Sequence, residues 1–204
     1  MSDALTYIPL LDGDETLSGY RFRVGGPSGE EGLATTAAGA PEDVVTLDQH
    51  FVTSVAYTRE ASGKMSWFAG LLKGDAEGKS VGVVQEAKMY TVREIEGQRV
   101  EIGVAVQLKI EATTFKSSVQ VTVPNIAAEA QLGLSRAQME ISVRGYCGML
   151  GEMLPAPSGV NLASYAHYIE AFAKLQKLVF GPSGQAHFSP VVLGRVIRGE
   201  AGAA

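Results

Sequence analysis

The chain has 204 residues, 17 Lys and Arg against 22 Asp and Glu, and a formal net charge of −5. With 46% apolar and 19% charged residues it has the composition of a chain that folds around a core, which excludes an intrinsically disordered protein. The negative balance argues against general nucleic-acid binding, whose affinity comes from Lys and Arg clustered on phosphates, and a single cysteine, Cys147, excludes an intrachain disulfide.

This length favours one domain over residues 1–204. The N-terminus, MSDALTYIPLLDGDE, has neither a basic n-region nor a long apolar h-region. No apolar stretch approaches the roughly 20 residues that a membrane helix needs. The expectation is a chain made in the cytoplasm without a signal peptide, acting at a membrane or after release.

Charge is uneven along the chain. Residues 1–50 hold nine acids and two bases, a balance of −7, and residues 51–204 hold thirteen acids and fifteen bases, a balance of +2. We therefore divide the domain into an acidic N-terminal segment 1–46, a body 47–198 and a tail 199–204. In the first segment Leu17–Val24 predicts a short strand, with Tyr20, Phe22 and Val24 alternating with Gly19, Arg21 and Arg23. Residues 25–40, GGPSGEEGLATTAAGA, read as a Gly-rich loop. Pro-Ser-Gly recurs at 27–29, 157–159 and 182–184 with different flanks, which makes it turn punctuation rather than a repeat.

In the body, His50–Arg59 predicts a strand. The run Met65–Leu72 is the most apolar short cluster. Its Trp67 and Phe68 are read either as an interfacial anchor, since Trp favours membrane–water boundaries, or as a core plug or short helix. Val81–Glu94 is strand-like, Glu96-Gly97-Gln98 reads as a hairpin turn, and residues 100–112 alternate without a fault. Val100, Ile102, Val104, Val106, Leu108 and Ile110 share one face of that strand. Arg99, Glu101, Gln107, Lys109 and Glu111 share the other, expected to be wet or lightly covered. Thirteen residues at about 3.3 Å each run roughly 40 Å.

Alternation resumes at 117–123 and again through Ile126, Ala128, Ala130, Leu132 and Leu134, then slips near Ser135-Arg136, which predicts a turn or bulge before a strand at Gln138–Arg144. Residues 161–180 carry an apolar stripe at helical spacing, through Leu162, Tyr165, Ile169, Phe172, Leu175 and Val179. Asn161 or Ser158 can cap the start of this helix, and Gly181-Pro182 ends it. Phe188–Ile197 predicts a last strand.

No catalytic constellation emerges. There is no Gly-x-Ser-x-Gly elbow, no P-loop and no Gly-x-Gly-x-x-Gly, and the carboxylates are dispersed. His50, His167 and His187 have no His or Cys at zinc spacing. Cys147, with Arg144 as its only nearby base, reads as a small buried residue at a strand end. The expectation is no enzyme, with no catalytic, cofactor-binding or metal-ligating residue.

Three segments carry a resemblance. HFVTSVAYTR (50–59), LKIEATTFKSSVQVTVPNIAAEAQLGLSRAQMEISVRGYCG (108–148) and AHYIEAFAKLQKLVFGPSGQAHFSPVVLGRV (166–196) resemble, in order and spacing, the stonustoxin-like branch of the membrane-attack-complex/perforin and cholesterol-dependent cytolysin superfamily. The patterns are loose and hydrophobic, and Thr58 stands where that family has glycine after the strand tyrosine. The resemblance implies a protein that self-assembles and forms pores from amphipathic strands closed into a barrel. Val100, Ile102, Val104, Val106, Leu108 and Ile110 would then be a membrane or assembly face, and Trp67 and Phe68 an interfacial anchor.

The expected fold is α+β: a twisted, largely antiparallel sheet with long strands and a C-terminal helix packed on it. The expected function is that of a non-enzymatic perforin-like protein, acting as a homo-oligomer or with a companion protein, with a membrane as a candidate surface and no nucleic acid. The alternative is an interaction subunit that assembles through sheet edges and never enters lipid.

Overall fold

The structure, a computed structural model, describes residues 5–10, 17, 19–25, 44–60, 65–69, 76–116, 120–160 and 162–198. Most of the 25–40 loop, residues 117–119, the Asn161 cap and the 199–204 tail lie outside these described residues.

The architecture is a curled, mostly antiparallel sheet with a few helices. Its strands are β1 (Leu5–Pro9), β4 (Gln49–Arg59), β5 (Met65–Ala69), β6 (Ser80–Ile95), β7 (Gln98–Thr113), β8 (Arg136–Arg144), β9 (Ser158–Gly159) and β10 (Val191–Arg198). The order is β1-β10-β7-β6-β4-β5, with β8 pairing the second half of β7 and β9 pairing β8. A separate parallel pair joins β2 (Arg23–Val24) to β3 (Val44–Val45). Cα atoms of β1 come within 8 Å of β4 and β5, at the far end of the strand order, so the sheet bends back on itself.

The β6–β7 hairpin is the spine. Both strands have 16 residues and pair from Val81–Ala112 to Ile95–Gln98. Glu96 and Gly97 both have positive φ, 50° and 73°, the two-residue turn whose twist matches the strands it joins. Strict alternation fixes the register, because a slip of one residue would turn every apolar side chain to the wrong face.

Among the described residues the α-helices are α1 (Val123–Gln131), α2 (Leu162–Phe180) and α3 (Pro182–Gln185). The α1 segment corrects the strand-like alternation read through residues 126–134. Thr122 Oγ1 accepts from the Asn125 amide at 3.3 Å and caps the helix, and Pro124 stands in the first turn, where a missing N–H costs nothing. Ile126, Ala127 and Ala130 meet the core at helical spacing, while Leu132 is 72% exposed. Leu17–Val24 is likewise a strand only at Arg23–Val24, with Arg21 making an isolated bridge to Val191.

One buried cluster gathers Val104, Val106, Leu108 and Ile110 of β7 with Val81 and Val83 of β6 and Met139 and Ile141 of β8. Ile126 of α1 and Tyr168, Phe172, Leu175 and Val179 of α2 belong to it. A second gathers Val100, Ile102 and Val192 with Leu10, Leu17, Phe22 and Val45. The N-terminal segment 1–46 thus supplies β1, paired along β10, and side chains of the second cluster.

Candidate functional site

The two faces of β7 differ: one is core, and the other is buried only along its middle. Val100, Ile102, Val104, Val106, Leu108 and Ile110 have no exposed surface. They are core, and no lipid or partner reaches them while this fold persists. The opposite face, expected to be wet or lightly covered, is buried at Glu101 and Gln107, half-buried at Lys109 and Glu111, and exposed at Arg99. Across it lies a polar network. Ser142 Oγ donates to Gln107 Oε1 at 3.1 Å, and Gln107 Nε2 donates to Glu86 Oε1. Lys88 Nζ stands 3.7 Å from Glu86 Oε2 and 2.5 Å from Glu101 Oε2. The ring of Tyr7, from β1, closes over Lys88 with its centroid 3.2 Å from Nζ. Two strands, β10 and β7, separate β1 from β6 in the sheet. That contact therefore places the polar network inside the curl.

Burial sets the electrostatics of this cluster. It raises the Glu101 carboxyl above the usual range against the pull of Lys88. It also raises the Tyr7 hydroxyl well above the usual phenol value, with Glu86 and Glu101 adding to the effect. The Tyr7 hydroxyl and Glu86 Oε2 are buried without a hydrogen-bond partner. Arg144 closes one end by donating to the carbonyls of Leu10, Val192 and Leu193 at 2.8, 2.9 and 3.2 Å, which ties β8 to β10 and to the end of β1.

Trp67 and Phe68 lie on strand β5 rather than on a short helix, because Ala56–Arg59 of β4 offers them a hydrogen-bonding edge. Phe68 packs against the larger core cluster, and the Trp67 ring leans on Tyr57 at 4.9 Å between centroids. Both are half-buried. Cys147 is exposed rather than buried, and its thiol donates to the His187 carbonyl at 3.1 Å. Among the described residues no three His, Cys, Asp or Glu side chains gather as a metal site, and no helix is long and apolar enough to cross a membrane.

The surface that sequence reasoning missed is an edge. Strand β4 pairs with β6 along its whole length, but with β5 only at Ala56–Arg59. Among the described strands none pairs with the other side of residues 49–55. Phe51 and Val52, on opposite faces there, are 58% and 50% exposed. The run QHFVTSV holds no Lys, Arg, Asp, Glu or Pro, the residues that usually blunt an open edge. The absence of such residues was the available signal.

Comparison with protein-family models, with curated proteins and with solved structures finds no match to this chain.

Proposed function

We propose that this protein is a non-enzymatic assembly subunit that pairs with a second copy of itself through the outer edge of β4. The carrying observation is that no described strand pairs with the outer side of residues 49–55, where Phe51 and Val52 stand exposed. Seven uncharged residues let two such edges meet antiparallel across a two-fold axis without like-charge repulsion. The buried ion cluster and the cover that α2 gives to the apolar face hold the sheet rigid, so that the edge is presented in one geometry. The test is sedimentation of the wild type beside Val52→Lys without lipid. A companion protein in place of the second copy is the reading to adopt if the purified chain stays monomeric and an added companion restores assembly.

A second reading is perforin-like pore formation, which rests on the segment resemblance and on the β6–β7 hairpin. Sixteen residues at about 3.3 Å each reach roughly 50 Å, more than the roughly 30 Å of a bilayer's hydrocarbon. In this reading α1 and α2 must leave the β7 face before it meets lipid. Dye release from liposomes, with the protein pelleting alongside them, would favour it. Intact liposomes with no protein bound would remove it.

A further inference from the structure

A cleft of about 400 Å³ opens at the end of the polar face farthest from the Tyr7 cluster, within the size range of small-ligand sites. Two cross-strand rows build it. The inner row is Tyr57, Gly82, Glu111 and Gln138, neighbours in register on β4, β6, β7 and β8. Gly82 has no side chain, and the Tyr57 ring fills the hollow over it so closely that a Cβ there would overlap the ring. The outer row is Arg59 and Ser80, paired across β4 and β6, and Thr113 and Arg136, paired across β7 and β8. Arginines thus stand at both ends and hydroxyls between them.

The charges are not equally committed. Glu111 accepts from the Tyr57 hydroxyl, and it is ion-paired with Arg59 at 3.1 Å and with Lys109 at 3.2 Å. It is a satisfied carboxylate that holds the Arg59 guanidinium at the inner wall. Among the described residues no hydrogen bond or ion pair takes up the exposed Arg136 guanidinium. The lining carries two arginines and one carboxylate, a net positive charge in a chain of net −5. Strand spacing puts the two arginine backbones about 14 Å apart, a gap that two side chains reaching inward from either end can span.

We propose that this cleft binds an oxyanion, the phosphate of a small molecule or free phosphate, between Arg136 and Arg59, with the Ser80 hydroxyl donating between them. Guanidinium groups suit this ligand because they offer paired N–H donors in a plane that matches two anionic oxygens. The site is independent of assembly at β4 residues 49–55.

The test is calorimetric titration of the full chain with inorganic phosphate and with phenyl phosphate at fixed ionic strength. Both are expected to bind saturably, and Arg136→Gln to weaken binding by about tenfold or more. Tighter binding of phenyl phosphate assigns the site to an organic phosphate, and equal binding assigns it to the free ion. Arg136 is exposed, so its loss is expected to leave the fold intact, and an unchanged thermal melt would check this. Lys174→Gln, which removes a distant cation from α2, is expected to bind as the wild type does. No saturable heat from either probe, full affinity in Arg136→Gln, or an equal loss in Lys174→Gln would overturn the proposal.

Discussion

Lys88 lies with its ammonium 3.2 Å from the centre of the Tyr7 ring, and this contact fastens the N-terminal strand to the middle of the sheet. Glu101 and Glu86 hold the same ammonium from the polar face. Removing one partner of such a buried set leaves charge without compensation. Lys88→Met is therefore expected to cost about 3–5 kcal/mol in urea unfolding. The triple variant Lys88→Met, Glu86→Gln, Glu101→Gln should recover much of that loss. A cost below about 1 kcal/mol for Lys88→Met would mean that water reaches the cluster and screens it.

Gly82 and Tyr57 form a second such relationship. Gly82→Ala drives a methyl group into the Tyr57 ring and is expected to destabilise by about 1–3 kcal/mol, the usual range for overpacking. Trp67 leans on the same ring, so its fluorescence should shift with the displacement. In a Tyr57→Leu background the same substitution should cost less, because the two residues are coupled. Equal costs in both backgrounds would show that the ring is not what fills the hollow.

Acid should act on Glu111. Burial pushes its carboxyl up, but the Tyr57 hydroxyl, Lys109 and Arg59 together outweigh burial and hold it below the usual range. A depressed carboxylate contributes stability that is complete above its unfolded pKa and lost as pH falls through its folded value. The wild type should lose stability from about pH 5 downward more steeply than Glu111→Gln. Glu101, raised by burial, has the opposite sign, but it is common to both proteins and cancels in the comparison. Parallel curves for the two proteins would contradict this account of Glu111.

The long hairpin was legible in the sequence because its alternation is unbroken and its turn holds Gly97. So was α2, whose stripe repeats for five turns. The α1 helix was not, because alternate apolar residues at 126–134 imitate a strand and its start depends on the Thr122 cap. Trp67 and Phe68 stood out as apolar, but only the partner strand β4 decides that they are extended. The polar cluster was invisible for a plainer reason. Glu86, Lys88, Glu101 and Gln107 read as a solvated face until the curl brings Tyr7 across them from 81 residues away in the chain. The edge at 49–55 depends in the same way on where β5 pairs along β4, which no local pattern shows.

The most direct test of assembly through β4 is sedimentation velocity on the wild type and on Val52→Lys, over a wide range of protein concentration and without lipid. Val52 is half exposed, and a lysine on an open edge is a common natural guard against strand pairing. The account predicts a wild type that shifts to a dimer as concentration rises, and a Val52→Lys variant that sediments as a monomer throughout. A wild type that stays monomeric at every concentration, or a variant that associates as strongly as the wild type, would contradict it.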